Sequence, residues 1–256
     1  MNTHRPKKRL GQHYLRDDNI ARKIVSSLNA TETNEIIEIG PGHGILTKYL
    51  FEKKGYTILA VEVDYENVEF LRNEFPERED QIIHHDILTY DLSDFEHPVA
   101  IIGNFPYNIS SQIFFRILEN KNKISEVVCM VQKEVAERIS AGPGTKTYGI
   151  LSVLLQAYFR IEYLFKVTPK VFFPQPNVNS AVIRLTRNDI LKLDCDENLF
   201  FQIVKACFNQ RRKTIKNSIR KITGNNVIQS DLIMKRPEQL NVDQFVELTQ
   251  IIQVKK

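Results

Sequence analysis

The chain has 256 residues, of which 42% are hydrophobic and 26% are charged, and its formal net charge is +4. This composition supports a sizeable core and argues against a disordered or fibrous chain, and the length fits one large domain with or without a small second one. Three well-separated cysteines without a Cys-x-x-Cys pair argue against a disulfide framework or a zinc site and favour a reducing cytoplasm.

Helices and strands alternate over the first two-thirds of the chain. A helical pattern at 17–28, with Asp17 or Asp18 as its cap, comes first. Apolar strands are predicted after it, separated by a glycine turn and by helices, at 35–39, 57–63, 81–85, 99–103 and 126–132. This alternation predicts a parallel sheet with helices on both faces. The segments 160–167 and 179–186 are predicted to pair as a hairpin at the sheet edge.

Beyond residue 190 the pattern is helical, which predicts a small helical domain of roughly 60 residues. We therefore predict three parts: a basic N-terminal arm at 1–16, a sheet domain at 17–188 and a helical domain at 189–256. The N-terminus lacks the apolar region of a secretory signal. The longest apolar run, 150–159, is too short to span a bilayer, so we expect no membrane association.

Positive charge is concentrated at the two ends of the chain. Residues 1–25 carry a net charge of +5 and residues 200–256 carry +7, whereas the residues between them carry −8. Basic ends on a nearly neutral chain indicate a polyanionic partner such as nucleic acid. Solvated lysines on helix faces would explain the same counts, so charge alone leaves both readings open.

A glycine-rich turn follows the first strand of the predicted sheet. Gly40, Gly42 and Gly44 would let the backbone approach a ligand at the carboxyl edge of the sheet. Ile45 occupies the third glycine position of the dinucleotide pattern, and the turn lacks the lysine of a phosphate-binding loop. On its own, this turn is also compatible with a simple packing role.

Three acidic residues lie near the same edge. Glu62 closes the second strand, where a carboxylate can accept hydrogen bonds from both ribose hydroxyls. Asp86 closes the third strand and could accept from an adenine amine, and Glu38 precedes the glycine turn. Singly, each is better explained as a solvated loop residue; together, they favour an adenosine-containing cofactor. A cofactor without phosphates, S-adenosylmethionine, fits this acidic edge better than NAD or ATP.

The stretch Asn104-Phe105-Pro106-Tyr107 follows the fourth strand at this edge. A plain turn with Phe105 in the core and Pro106 as a stop would explain it, but two rings around a proline are unusual there. An adenine amine is a poor nucleophile until two acceptors hold its hydrogens. The Asn104 side-chain oxygen and the Pro106 carbonyl can supply them, and the Tyr107 ring can stack on the base. Catalysis would then consist mainly of positioning.

Seven segments resemble the rRNA adenine N6-dimethyltransferase family and together cover nearly the whole chain. They are RLGQHYL, EIGPGHGILT, VEVD, HHDIL, GNFPYNIS, MVQKEVAERISAGPGTKTYGILSV and FFPQPNVNSAVIRL. The resemblance implies an α/β fold: a Rossmann-like methyltransferase domain with a mostly parallel seven-stranded sheet that binds S-adenosylmethionine, and a small all-α C-terminal domain. It implies dimethylation of two adjacent adenosines in the 3′-terminal hairpin of 16S rRNA, by a cytoplasmic monomer acting on the assembling 30S particle.

The resemblance also implies roles for residues at matching positions. Together with the glycine turn, it gives as cofactor-binding residues His13, Leu15, Gly40, Gly42, Glu62, Asp86 and Asn104. The residues expected at the target base are Asn104, Pro106, Tyr107 and Phe172, although Phe172 taken alone is a loop aromatic that would pack. The cations expected on RNA phosphates are Arg5, Lys7, Lys8, Arg9, Arg211, Arg212, Lys213, Lys216 and Arg220. The histidines show no metal-ligand spacing, and we expect no metal.

Some positions depart from the family pattern, and other functions stay open. His13 replaces Asn, Phe105 replaces Leu, and Asn179 replaces Asp, the last without an assignable consequence. One alternative is a resistance methylase that acts on large-subunit rRNA, in which Phe usually stands where Tyr107 does. Another is an assembly or transcription factor that keeps the fold and binds nucleic acid without catalysis. A DNA adenine methylase is disfavoured, since those usually carry Pro-Pro-Tyr after the acid or amide.

Overall fold

A computed structural model describes residues 6–224 and 226–254 of the chain. These residues divide into two compact units, one formed by residues up to 136 with 161–187, and one formed by 137–160 with 188–254. The stretch 137–160, which the sequence analysis assigned to the sheet domain, groups with the C-terminal residues instead. The proposed three-part division by function stays a prediction.

The first unit contains the helices and strands that build the sheet. The helices are α1 (Asp18–Ser26), α2 (Thr47–Phe51), α3 (Tyr65–Glu74), α4 (Ser110–Glu119) and the start of α5 (Lys133–Ser140). The strands are β1 (Tyr14–Leu15), β2 (Glu35–Ile39), β3 (Thr57–Glu62), β4 (Ile82–His84), β5 (Val99–Asn104), β6 (Ile124–Gln132), β7 (Phe159–Val167), β8 (Phe172–Phe173) and β9 (Ser180–Arg187). Short 3-10 helices occur at Lys8–Leu10, Pro76–Gln81, Lys121–Lys123 and Pro169–Val171.

Seven of these strands form one sheet in the order β4-β3-β2-β5-β6-β9-β7. The strands β4, β3, β2, β5 and β6 run parallel, and β9 runs antiparallel to β6. The prediction of a mostly parallel seven-stranded sheet is therefore confirmed. Because β2 lies between β3 and β5, the strand order reverses beside it, and a crevice is expected at the carboxyl ends of β2 and β5.

Helix α1 shows how the sequence pattern produces the core. The Asp17 side chain accepts a hydrogen bond from the Ile20 N–H at 3.0 Å and caps the helix, as predicted. Ala21, Ile24 and Val25 are buried on one face and pack in the core over the sheet. The apolar spacing therefore fixes which side of this helix faces the sheet.

Two strands that the sequence did not reveal pair in a separate ribbon. In it β1 runs antiparallel to β8, with Tyr14 opposite Phe173 and Leu15 opposite Phe172. This ribbon joins the N-terminal segment to the loop that precedes β9.

The second unit is helical. Its helices are the end of α5, α6 (Ile150–Gln156), α7 (Glu197–Asn209), α8 (Ile215–Ser218), α9 (Arg220–Thr223) and α10 (Val242–Gln253), with 3-10 turns at Asp231–Met234 and Pro237–Gln239. The stretch 137–160 belongs here because α6 packs against both α7 and α10. Tyr158 also donates a hydrogen bond to Glu197 at 2.9 Å. No helix in the described ranges is long and apolar enough to cross a membrane.

Gly103 is required by the close approach of β5 to β2. A Cβ at this position would lie 2.5 Å from the Ile39 carbonyl oxygen, a backbone atom that cannot rotate away. We expect Gly103→Ala to lower the free energy of unfolding by about 1–3 kcal/mol, measured by urea denaturation. Gly142→Ala is the control, because a Cβ there would meet nothing within 4 Å. Equal stability of Gly103→Ala and the parent protein would contradict this account.

Candidate active site

A cavity of about 240 Å³ lies in the first unit, beside the carboxyl ends of β2, β3 and β5. Its walls come from these strand ends, from the turn after β4 and from the N-terminal segment 9–14. Six of the seven predicted cofactor residues line it, namely His13, Gly40, Gly42, Glu62, Asp86 and Asn104. The seventh, Leu15, is buried in the core below. Apolar side chains between the polar groups are Ile39, Val61, Val63, Ile87, Leu88 and Ile109.

The glycine turn brings backbone atoms to the cavity. Gly42 has a φ of +57°, and a Cβ there would lie 2.8 Å from the Tyr14 ring, so the position requires glycine. The Gly42 N–H donates to Glu62 Oε2 at 3.1 Å. Gly40 also has a positive φ, and the space beside its Cα is open. The turn therefore presents backbone, without a lysine for a phosphate.

Glu62 is held rigidly at the end of β3. Its side chain is buried, and its carboxylate accepts from the N–H groups of Asp64 at 2.9 Å and Gly42 at 3.1 Å and from Asn67 Nδ2 at 3.4 Å. Burial raises the pKa of the Glu62 carboxyl, and these backbone donors act in the opposite direction. A carboxylate has about four acceptor sites, of which these three donors use three, so capacity remains for a hydroxyl group of a ligand.

Asp86 lies in a turn beyond β4. The strand ends at His84, so Asp86 does not close it as the sequence analysis expected, although it still lines the cavity. Its Oδ1 accepts from the Leu88 N–H at 2.9 Å, which orients the exposed carboxylate. The His85 N–H donates to the Glu62 carbonyl at 3.0 Å and ties this turn to β3.

Asn104 ends β5 with its amide group oriented by the N-terminal segment. Its Nδ2 donates to the His13 carbonyl oxygen at 2.9 Å. Within the part of the chain that the structure describes, no group donates to Asn104 Oδ1. Pro106 also lines the cavity, and its carbonyl accepts from the Ile109 N–H at 3.2 Å. Phe105 is buried against Phe114, as a core residue would be.

Neither Tyr107 nor Phe172 lines the cavity. The Tyr107 hydroxyl hydrogen-bonds to the Ser180 hydroxyl, and its ring centroid lies 5.2 Å from that of His13. Burial raises the pKa of the Tyr107 phenol, so the side chain is neutral. Phe172 is 5% exposed and packs in the core, whereas its neighbour Phe173 is 46% exposed. The role of Phe172 opposite Tyr107 stays a prediction.

The comparison with protein families matches residues 3–254 to the ribosomal RNA adenine dimethylase model. The chain belongs to this family. The ribosomal RNA small subunit methyltransferase A of Bacteroides fragilis is 53% identical over 96% of this chain and 91% of that protein. The protein of the same name from Flavobacterium johnsoniae is 50% identical over 96% of this chain and 95% of its own length.

Solved structures show the same fold. A dimethyladenosine transferase from Plasmodium falciparum aligns with a TM-score of 0.79 at 20% identity, covering 95% of this chain and 98% of that one. The 23S rRNA methyltransferase ErmE aligns with a TM-score of 0.68 at 24% identity, covering 94% and 99%. Both align over nearly their full length, and at these identities they show the fold alone.

The dimethylase is thus a methyltransferase with a Rossmann-like fold, and its cofactor is S-adenosylmethionine. The described cavity fits this group. The buried Glu62 carboxylate offers acceptors, the apolar side chains offer a slot for a base, and the glycine turn carries no cation for a phosphate. Among the described residues, no cluster of three or more His, Cys, Asp or Glu side chains is placed to hold a metal ion.

The predicted RNA-binding residues of the N-terminal arm differ in what they contact. Arg5 lies outside the described residues, as does the side chain of Lys8. The Lys7 ammonium forms ion pairs with Asp64 at 2.7 Å and Glu66 at 3.1 Å. Arg9 lines the cavity, and its carbonyl accepts from Asn108 at 3.3 Å.

The predicted cations of the second unit also fall into two groups. Arg212, Lys213, Lys216 and Arg220 are exposed. Arg211 instead donates to the Thr145 carbonyl at 3.0 Å and faces Glu238 at 3.9 Å, so it stabilises the loop that contains Thr145.

Sequence reasoning missed several residues that shape the site. Gln12, Tyr14, Asn67 and Asn108 line the cavity, and Asp64 holds the N-terminal segment beside it. Gln12 and Asp64 do occur in the family-like segments RLGQHYL and VEVD. Nothing in their spacing, however, shows that residues 52 positions apart would meet.

Glu38 is a buried acid next to the site. It is 1% exposed, and its Oε2 has no hydrogen-bond partner among the described atoms. Burial raises the pKa of the Glu38 carboxyl to about 8, and the Glu62 carboxylate acts in the same direction. The proton on the Glu38 carboxyl is therefore bound more tightly in the folded state than in the unfolded state. The stabilisation that comes from this protonated carboxyl is fully present below about pH 4 and is lost as the pH rises to about 8.

We expect Glu38→Gln, which stays neutral, to be more stable relative to the parent protein at pH 8.5 than at pH 4.5. The free energy of unfolding of Glu38→Gln relative to the parent protein is measured by urea unfolding at each pH. This relative value should be higher at pH 8.5 than at pH 4.5 by more than about 1.4 kcal/mol, the free energy that corresponds to one pKa unit. Glu35→Gln, at the partly exposed start of the same strand, is the matched control. The same stability difference at both pH values would contradict the assignment.

Proposed function

We propose that this chain dimethylates N6 of two adjacent adenosines in the 3′-terminal hairpin of 16S rRNA, during assembly of the 30S subunit. The names of its half-identical relatives support the small subunit as the source of the substrate. The observation that carries the proposal is the Asn104 amide, whose Nδ2 is bound by the His13 carbonyl. This bond leaves Oδ1 as an acceptor at the cavity wall.

The cofactor contacts follow from the cavity lining. Glu62 would accept from the ribose hydroxyls, and Asp86 would accept from the adenine amine through the oxygen that Leu88 does not bind. Gly40 and Gly42 would lie against the methionine part, with His13 and the buried Leu15 at the border. Bound S-adenosylmethionine supplies an electrophilic methyl group on a sulfonium.

The target amine would be held between two oxygen acceptors. Asn104 Oδ1 is one, and a backbone carbonyl of the tetrapeptide is the other. The Pro106 carbonyl, which the sequence analysis favoured, already accepts from Ile109 and would use its second lone pair. The Phe105 carbonyl accepts no backbone hydrogen bond from the described residues and is the alternative. With both hydrogens held, the nitrogen lone pair is no longer delocalised into the ring and can face the methyl group. The protein then contributes mainly the positioning of the reacting atoms.

The target base must be unstacked from the RNA before it reaches this pocket. The Tyr107 ring, fixed by Ser180 and His13, would provide one stacking face. Phe172 would provide the other after a local shift, because it is buried here. Stacking on an aromatic ring contributes about 1–3 kcal/mol per base. We further propose that the enzyme acts as a cytoplasmic monomer without a metal.

The exposed cations of the second unit are proposed to contact RNA phosphates. Replacing Lys216 or Arg220 by alanine should weaken RNA binding uniformly and reduce the slope of log K against log salt by about 1 each. Arg211→Ala is the control variant, because Arg211 already forms a hydrogen bond with the Thr145 carbonyl and an ion pair with Glu238. It should leave the slope unchanged and lower stability. An unchanged slope in both the Lys216 and Arg220 variants would contradict the assignment.

The test of the proposed function is methyl transfer from labelled S-adenosylmethionine to undermethylated small-subunit particles, with large-subunit rRNA in parallel. Dimethyladenosine at two adjacent positions of the small-subunit RNA, identified by mass, is the expected result. Label confined to large-subunit rRNA would make the chain a resistance-type methylase. Tight particle binding without label would make it an assembly factor.

A further inference from the structure

We propose that Asp64, Lys7 and Gln12 form a latch that holds the N-terminal segment over the cofactor cavity. Lys7 is then a positioning residue for the cofactor and does not contact RNA phosphates. This inference rests on the proposed function, because it takes the described cavity as the cofactor site.

The contacts within the latch use both oxygens of one carboxylate. Lys7 Nζ lies 2.7 Å from Asp64 Oδ1, and Gln12 Nε2 donates to Asp64 Oδ2 at 2.9 Å. The Lys7 N–H donates to Gln12 Oε1 at 2.7 Å, which closes a ring of three residues. The Asp64 side chain is 5% exposed, so the ammonium pairs with a carboxylate that is sheltered from solvent.

Asp64 is itself fixed in place by the sheet and by α3. Its N–H donates to Glu62 Oε1 at 2.9 Å, and its Oδ1 accepts from the Glu66 N–H at 3.3 Å at the start of the helix. Asp64 therefore joins the latch directly to the carboxylate that is proposed to hold the ribose. Opening of the latch would therefore shift the Glu62 carboxylate. Conversely, a ligand bound to Glu62 would favour the state in which the latch holds the N-terminal segment over the cavity.

The segment between Lys7 and His13 is tied down on both sides of the crevice. The latch holds it at the end of β3. On the β5 side, the Asn104 side chain donates a hydrogen bond to the His13 carbonyl, and the Asn108 side chain donates one to the Arg9 carbonyl. Residues 9–14 line the cavity between these ties. Release of one side of this segment would widen the path by which a cofactor of the size of adenosine leaves. The β3 side is held by the ion pairs of Lys7 with Asp64 and Glu66 and by the Gln12 amide, so it is the side that Lys7 controls.

The measurement is the dissociation rate of radiolabelled S-adenosylhomocysteine from the full chain without RNA, followed by chasing the bound label with excess unlabelled ligand. Lys7→Ala should dissociate about tenfold faster than the parent protein, because a charge-assisted hydrogen bond is lost from the closed state. Lys7→Arg, which can still pair with Asp64, should restore most of the slow rate. Lys54→Ala removes the same charge from an exposed position of this unit and is the matched control.

Two further readouts separate the latch from other roles. Asp64→Asn keeps an oxygen that can cap α3, so it should fold, and its effect should not add to that of Lys7→Ala. RNA affinity and its salt dependence should be unchanged in Lys7→Ala. A normal dissociation rate with a salt slope reduced by about 1 would overturn the latch and return Lys7 to the phosphate contacts. Failure of the parent protein to bind the ligand would instead contradict the proposed function and the latch with it.

Discussion

Replacing Asn104 by alanine is expected to reduce kcat for methyl transfer by about 10²–10³-fold, the loss typical of removing one preorganised hydrogen-bonding group from a reacting centre. Without Oδ1, one amine hydrogen of the target adenosine has no acceptor, and the nitrogen is not oriented toward the methyl group. Single-turnover transfer to small-subunit particles measures the chemical step. RNA binding, measured in parallel, should stay within a few-fold of the parent value.

Asn108→Ala is the matched control for the Asn104 variant. Both amides donate to a carbonyl of the N-terminal segment, Asn104 to His13 and Asn108 to Arg9, so both variants lose one tie to it. Only the Asn104 variant also loses an acceptor from the end of β5. The Asn108 variant should therefore show at most a few-fold loss. Equal losses in both variants, or near-normal turnover in Asn104→Ala, would contradict the role assigned to the Asn104 oxygen.

The second large effect is expected at Glu62. Glu62→Gln keeps the shape of the side chain but replaces the carboxylate by an amide, which offers one oxygen in place of two. Gly42 and Asp64 would then compete with the ribose for that oxygen. We expect the Kd for S-adenosylhomocysteine to rise about 10–100-fold, as for loss of a hydrogen bond to a charged group, measured by calorimetry.

Glu69→Gln, on an exposed position of α3, is the control for this variant and should bind the ligand normally. Thermal unfolding of both variants without ligand tests whether Glu62→Gln has damaged the fold. A Kd for Glu62→Gln within twofold of the parent value, in a folded protein, would be incompatible with a ribose contact at this carboxylate.

The centre of the sheet could be predicted because β2, β5 and β6 are buried on both faces. Such strands appear as continuous apolar runs, and the predicted 35–39 and 57–63 differ from β2 and β3 by at most one residue. The prediction of the third strand was less accurate, because a 3-10 helix at Pro76–Gln81 includes the first residue of the predicted strand 81–85. The two-residue ribbon of β1 and β8 carries no periodicity at all, and it forms only because distant segments meet.

The candidate site was partly predictable for a geometric reason. Parallel strands end at one edge, so Gly42, Glu62 and Asn104 had to converge if the strand assignments were right. Contacts made by the N-terminal segment follow no such rule. Lys7 was assigned to RNA from its charge, and its pairing with Asp64 depends on a chain path that local sequence does not determine. The grouping of 137–160 with the second unit likewise depends on packing between helices distant in sequence.

The most direct test of the central claim is a crystal structure of the full chain with S-adenosylhomocysteine. The account predicts the ribose hydroxyls within hydrogen-bonding distance of Glu62, the adenine beside Asp86, and the sulfur facing Asn104 Oδ1 across space for a target amine. A ligand bound outside the cavity, or a sulfur placed away from the Asn104–Tyr107 tetrapeptide, would contradict it.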